Sequence, residues 1–151
     1  MLPYLHALLP VALLLVATFV FAGVAAGSNA DEIGRNEDVS HQWETRERLA
    51  TPLGFAVLAF AGELVGAGGP RPYISIVLGF AATVLLFGLR FDIRLNLRRG
   101  LDRYYLGTDP QTASTDQAVR ARGLSGRQFA ALKLAGLLLV VAGLVWLRWP
   151  K

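Results

Sequence analysis

The ionisable side chains inside apolar stretches are the first candidates for chemistry. His6 lies close to the start of the first apolar stretch, and Glu63 lies about eleven residues after Pro52 in the second. At ~1.5 Å per helical residue, the two side chains would reach comparable depths in a membrane. A carboxylate and an imidazole at one depth can share a proton, which lowers the free-energy cost of each in an apolar medium. Arg71 is expected just above these two side chains in the membrane, so His6, Glu63 and Arg71 form one candidate proton or ligand site.

Three kinds of chemistry would suit this site: proton relay, contact with the polar head of a quinone, or metal ligation completed by another chain. A single histidine in the spans cannot by itself provide bis-histidine haem ligation. The alternative is a packing role, in which Glu63 is neutral or hydrogen-bonded to a neighbouring helix and His6 lies near the lipid headgroups. Both interpretations fit an ionisable group inside an apolar span.

Other reactive groups give weak signals. His41 stands among Asp38, Glu44 and Glu47, but this spacing matches no known metal motif, so we predict no metal site. The chain has no cysteine, which excludes disulfides, thiolate metal sites and Cys-x-x-Cys redox chemistry. The Ser and Thr residues have no His and Asp partners in a recognisable chain order. No glycine-rich phosphate loop follows a strand. We therefore predict no catalytic residue and no cofactor; a bound lipid or quinone stays open.

Four apolar stretches supply the elements that must position these residues. They are residues 2–27, 52–68, 73–89 and 129–149, joined by an acidic segment 28–51, a turn 69–72 and a basic segment 90–128. Each stretch is long enough, or nearly so, to cross a bilayer core of ~30 Å as a helix. The chain is 54% hydrophobic and 17% charged, whereas a typical soluble domain has ~25% charged residues. We predict one all-α integral membrane domain with four transmembrane helices.

The basic residues predict the orientation. Eleven of the 15 Lys and Arg residues lie in segments 28–51 and 90–128. Because basic residues mark the cytoplasmic face, both termini are predicted outside. The Tyr and Trp residues avoid the centres of the spans, as in the aromatic belts of membrane proteins. The alternative is a cleaved signal peptide, but the first span lacks a basic n-region and is longer than an h-region.

The basic segment is expected to stay near the membrane. One face of its helical wheel is apolar: Ile93, Leu97, Leu101 and Tyr104. This pattern predicts a short amphipathic interfacial segment after the third helix. Apolar and polar residues also alternate over 91–97, which leaves a short strand as the alternative. Lipid headgroup contacts are predicted for five arginines: Arg90, Arg94, Arg98, Arg99 and Arg103.

Capping residues predict the helix ends. Thr51 and Pro52 are typical of an N-cap and the first helical position, so the second helix is predicted to begin there. The stretch 110–126 is predicted to be either a short helix with a turn or a loop, and Ser114 and Ser125 are its candidate caps.

Lys133 lies just inside the fourth span, from which its long side chain can reach the cytoplasmic surface.

Small residues predict how the helices pack. Glycines recur at intervals of four or seven within the spans, or lie on a small-residue face: Gly23, Gly27, Gly62, Gly66, Gly79, Gly136 and Gly143. Such faces let helix backbones approach closely in a membrane. The simpler interpretation is that the bundle packs on itself. The alternative is that one face, with Gly136 and Gly143, docks another subunit.

These patterns favour a small non-catalytic integral membrane subunit that scaffolds or stabilises a larger energy-transducing or transport complex. Its expected partners are other membrane subunits or a second copy, and anionic lipids. Nucleic acid is not expected, because the basic residues flank apolar spans. Two alternatives remain: an oligomeric small transporter or proton-coupled carrier using Glu63, and a quinone- or haem-contacting anchor of an oxidoreductase. The excess of Arg over Lys suggests the plasma membrane of a GC-rich prokaryote.

Overall fold

The described chain is entirely helical where it has regular structure. A computed structural model describes residues 2–35, 41–64, 70–107 and 114–149, and for residues 2–7, 41–48, 62–64 and 114 it describes the backbone alone. The helices within these residues are α1 (Leu2–Gly34), α2 (His41–Leu64), α3 (Arg71–Arg98), α4 (Ser114–Ala121) and α5 (Gly126–Arg148). α1, α3 and α5 are long and apolar enough to cross a membrane, and α2 contains a shorter apolar helix over Leu49–Ala61. The predicted all-α class is confirmed for the described residues, and the apolar helices indicate a multi-pass membrane protein.

α3 packs against three other helices, α1, α2 and α5. Its contacts with α1 show that these two helices run in the same direction. Leu14 lies beside Gly79 in the first half of both helices, and Asp31 meets Arg98 where both helices finish. α1 and α3 are therefore parallel neighbours.

α2 runs in the opposite direction to α3. Near the end of α2, Phe60 lies against Gly79 in the first half of α3. Closer to the middle of α2, the Pro52 carbonyl oxygen accepts a hydrogen bond from Thr83 Oγ1 at 3.5 Å. The two helices thus pass each other antiparallel.

α5 is also antiparallel to α3. Gly136 lies beside Leu85, and Gly143, further along α5, lies beside the earlier residue Leu78. We call the end of the bundle at which α1 and α3 finish and α2 and α5 begin the basic end. The described parts of segments 28–51 and 90–128 adjoin this end.

Two groups of buried apolar side chains form the core. The larger contains Val11, Leu14, Phe60, Ala82, Leu137 and Leu144. The other, nearer the basic end, contains Ala22, Ala26, Phe87 and Phe91, with the rings of Phe87 and Phe91 stacked 5.5 Å apart. Outside the core, large apolar side chains stay exposed, among them Leu58, Leu139 and Trp146. So much exposed apolar surface is typical of helices surrounded by lipid.

The closest approach in the core occurs at Gly79. A Cβ atom built on Gly79 would lie 2.6 Å from Phe60 Cε2 and 3.3 Å from Leu14 Cδ2. Phe60 is fully buried, so its ring has little room to move aside. The missing side chain of Gly79 therefore lets α1, α2 and α3 meet at one point.

Two predicted helix boundaries are wrong. α2 begins at His41, not at Thr51, and Pro52 lies inside it. Proline removes one hydrogen bond from a helix interior, but the residues before it are mostly good helix formers. Likewise α3 continues without a break to Arg98, so residues 90–98 form neither a separate interfacial segment nor the alternative strand. The chain leaves this helix at Gly100, whose φ of 69° favours glycine.

The start of α5 agrees with the predicted cap. Ser125 is the N-cap of α5: its Oγ accepts a hydrogen bond from the Gln128 backbone N–H at 3.2 Å. The Gln128 side chain in turn accepts from the Ser125 backbone N–H at 2.8 Å. This reciprocal pair is a capping box. Between the two candidate caps, part of 110–126 is the short helix α4.

We predict that Gly79→Ala destabilises the bundle, since its added methyl group would overlap the Phe60 ring. Overpacking of this kind typically costs ~1–3 kcal/mol, measurable as a lower melting temperature of the purified protein in detergent. Gly54→Ala is the matched control, because a Cβ there meets nothing within 4 Å. Phe60→Leu should restore part of the loss in the Gly79→Ala background. Unchanged melting of Gly79→Ala would contradict this view of the core.

Candidate functional site

The predicted site of His6, Glu63 and Arg71 falls at the end of the bundle opposite the basic end. This follows from the helix directions, because His6 is near the start of α1, Glu63 near the end of α2 and Arg71 at the start of α3. The side chains of His6 and Glu63 lie outside the described residues, so their meeting stays a prediction. Arg71 donates a hydrogen bond from Nη2 to the backbone carbonyl of Leu147. It thereby links the start of α3 to the end of α5.

At the basic end, an ion pair joins α3 to α5. Lys133 Nζ lies 2.5 Å from Asp92 Oδ2 and 4.2 Å from the centroid of the Phe129 ring. The Lys133 side chain is 17% exposed, against 50% for Asp92. The aliphatic stem of Lys133 is therefore buried against protein, and its ammonium group faces a carboxylate of the neighbouring helix. Sequence reasoning missed Asp92 as the partner, because no local pattern links residues so far apart.

Three arginines at intervals of four residues line the α3 side of a groove against α1. Arg98 Nη1 lies 3.3 Å from Asp31 Oδ1, and the guanidinium carbon of Arg90 lies 4.2 Å from the centroid of the Phe19 ring. The groove is largely open, with a volume of about 700 Å³. Its lining is Phe19, Val20, Gly23, Val24, Gly27, Ser28, Asp31, Arg90, Arg94 and Arg98. We call it the α1–α3 groove.

The five arginines predicted to contact headgroups thus separate into two sets. Arg90, Arg94 and Arg98 line the α1–α3 groove. Arg99 and Arg103 are exposed in the turn that follows α3, and neither is among the groove-lining residues. The interval of four in the sequence identifies the first set, because residues at i, i+4 and i+8 share a helix face.

The turn after α3 is folded tightly against the start of α5. The buried amide of Asn96 donates from Nδ2 to the carbonyl oxygens of Tyr105, at 3.0 Å, and Arg103, at 3.4 Å. A Cβ atom on Gly126 would overlap the carbonyl oxygen of Tyr104. Sequence reasoning did not find Asn96, although a lone amide among apolar and basic residues at a helix end was a usable signal. These contacts fix the position of the turn at the basic end.

The predicted packing glycines have different surroundings. Gly136 and Gly143 lie beside Leu85 and Leu78 of α3, so both glycines contribute to packing within the chain. A Cβ on Gly27 would touch the Arg98 guanidinium, whereas one on Gly23 meets nothing within 4 Å. The contacts of Gly62 and Gly66 lie outside the described residues.

Among the described residues, charged side chains form contacts between neighbouring helices. Asp31 of α1 pairs with Arg98 of α3. Asp92 of α3 pairs with Lys133 of α5. No group of three or more His, Cys, Asp or Glu that could hold a metal ion occurs in the described part of the chain. These contacts join α1, α3 and α5, and the arginines of α3 line a basic groove.

We predict that Asp92 and Lys133 are energetically coupled. Asp92→Asn and Lys133→Met should each lower the melting temperature in detergent, and the double variant should lose less than the sum of the two. Exposed ion pairs typically couple by ~0.2–1 kcal/mol, and the low exposure of Lys133 favours the upper part of this range. Arg122→Gln, at an exposed position, is the control. Strictly additive losses would show that the pair contributes nothing.

Comparisons of the chain with protein-family models, with curated proteins and with solved structures gave no match. A proposal for its function therefore depends on its own residues and on the contacts described above. The interhelix ion pairs, the basic groove and the exposed apolar helix faces are the features that such a proposal must explain.

Proposed function

We propose that this chain is a non-catalytic membrane subunit that scaffolds or stabilises a larger membrane complex. The observation that carries the proposal is a regular row of exposed residues on α5, next to the two glycines that contact α3. The row is Leu132, Ala135, Leu139, Ala142 and Trp146, all of them exposed. Its spacing alternates between three and four residues, as in the contact seam of paired helices. We call this row the α5 seam.

The composition of the α5 seam supports a protein neighbour. Large residues alternate with alanines, so a partner helix can approach at Ala135 and Ala142 while Leu139 inserts beside it. Lipid contact alone needs apolar residues but no such order. At the basic end, the interhelix ion pairs hold α1, α3 and α5 together within the chain. The bundle is thus suited to present one ordered face to another membrane subunit.

We also propose that α1, α2, α3 and α5 all cross the membrane, with the basic end in the cytoplasm and both termini outside. The parallel course of α1 and α3 supports the count, because the chain between two parallel helices must return across the bundle, and α2 makes this return. The 11 of 15 basic residues in the two joining segments support the orientation. The excess of Arg over Lys supports the plasma membrane of a GC-rich prokaryote.

The topology can be measured directly because the chain has no cysteine. We expect Gln117→Cys, on α4, to react with a membrane-impermeant maleimide only after the cells are permeabilised. Trp149→Cys, beyond the end of α5, should react in intact cells. Equal labelling of both positions in intact cells would contradict the orientation.

Cysteine cross-linking in native membranes tests the subunit role. With a benzophenone attached to the thiol, which inserts into C–H bonds on irradiation, Leu139→Cys should form an adduct with a different polypeptide, which mass spectrometry identifies. Leu58→Cys is the matched control, since Leu58 is equally exposed at 76% against 75% for Leu139 but lies on α2, outside the seam. An adduct with a second copy alone would favour the oligomeric carrier. A chain that forms no adduct, and elutes alone in mild detergent, would rule out the subunit role.

A further inference from the structure

We propose that the α1–α3 groove binds one anionic phospholipid, with its phosphate on the arginines and an acyl chain along the apolar part of α1. This site goes beyond the scaffold role and does not depend on it, because the groove and the α5 seam lie on different helices. The proposal comes from the charge of the groove, its shape and its direction along the bundle.

The charge of the groove fits a phosphate. Among the described residues that line the groove, Arg90, Arg94 and Arg98 accompany one carboxylate, Asp31, so this lining has an excess of two positive charges. Asp31 pairs with Arg98 where the groove opens at the basic end. The excess positive charge is therefore at Arg90 and Arg94. The Nε atom of Arg90 is buried and has no hydrogen-bond partner among the described residues. Guanidinium groups donate paired hydrogen bonds to phosphate oxygens.

The direction of the groove fits an amphiphile. Its polar mouth, with Ser28, Asp31 and Arg98, is at the basic end, and its floor continues along α1 to Phe19. About twelve residues of helix separate Asp31 from Phe19, which corresponds to ~18 Å. A molecule in the groove would therefore pass from the headgroup region into the hydrocarbon core. A free anion would use the arginines but leave the apolar part without contact.

The glycines of α1 give the groove its depth. Gly23 and Gly27 both line it, and a Cβ on Gly23 would meet open space. Opposite them, the Arg90 guanidinium lies over the Phe19 ring, an arrangement that holds a cation at an apolar surface. An acyl chain can thus lie in the part of the α1–α3 groove over Gly23, beside Val20 and Val24. Basic pockets between transmembrane helices on the cytoplasmic side are known to bind anionic headgroups.

Native mass spectrometry of the full chain in mild detergent tests the proposal. We expect one phosphatidylglycerol per chain, bound at least about tenfold more tightly than phosphatidylcholine with the same acyl chains. Arg94→Gln should weaken phosphatidylglycerol binding about fivefold. Gly23→Leu, which fills the groove at Gly23 without changing its charge, should weaken phosphatidylglycerol binding further. The matched controls are Arg122→Gln, exposed on another segment, and Gly54→Leu, at another helical position with open space; both should bind like the natural chain.

Three results would overturn the proposal. Equal affinity for the two lipids would remove the role of charge. Unchanged binding by both Arg94→Gln and Gly23→Leu, with melting temperatures that show folded protein, would place the lipid elsewhere. Displacement of the lipid by millimolar inorganic phosphate would show that the groove takes a free anion. Because Arg94→Gln adds no bulk to the groove, its lipid affinity tests the proposal even where Gly23→Leu fails to fold.

Discussion

The close contact at Gly79 is the constraint on which the rest of the bundle depends. Phe60 of α2 and Leu14 of α1 both occupy the space that a side chain at Gly79 would need. α3 can therefore lie against α1 and α2 at once, and its opposite face is left for α5. In a membrane, apolar side chains gain little from leaving lipid, so close contact of this kind replaces hydrophobic burial as the source of helix association. This contact, together with the ion pair of Asp31 and Arg98, shows that α1 and α3 are parallel.

The alignment of the helices brings opposite charges together at the basic end. Because α1 and α3 are parallel, Asp31 reaches Arg98, and because α5 is antiparallel, Lys133 reaches Asp92. The same alignment puts Arg90 and Arg94 beside the glycine-containing face of α1. One arrangement of helices thus gives both the ion pairs that stabilise the bundle and the basic groove proposed for a lipid. The α5 seam lies outside this arrangement and is the surface that we propose for a partner.

Local features of the sequence predicted much of the fold. Long apolar runs predicted α1, α3 and α5, and Ser125 was one of two candidate caps, although its pairing with Gln128 was not predicted. The errors have local causes too. A proline at position 52 suggested a helix start, but good helix formers on its N-terminal side allow the helix to continue through it. Alternation over 91–97 suggested a strand, but no residue between Leu89 and Arg98 breaks the helix, and Gly100 ends it.

The candidate sites could be predicted only in part. The interval of four among Arg90, Arg94 and Arg98 is visible in the sequence and indicates a shared face. That α1 forms the other wall of the groove, and that Asp92 meets Lys133, depends on which helices are neighbours and in what register. A single sequence does not encode this in any local pattern. The matching depth of His6 and Glu63 was a one-dimensional estimate, and it stays a prediction.

The parallel course of α1 and α3 is the central claim, and two distances between paired spin labels test it most directly. Labels at Ile33 and Arg99, both exposed at the basic end, should lie close together, since neighbouring helix axes are ~8–10 Å apart and the label arms add to this. Labels at Ile33 and Tyr73 should lie on the order of 40 Å apart, because most of α3 separates Tyr73 from Arg99. The opposite order, with Ile33 closer to Tyr73 than to Arg99, would contradict the claim.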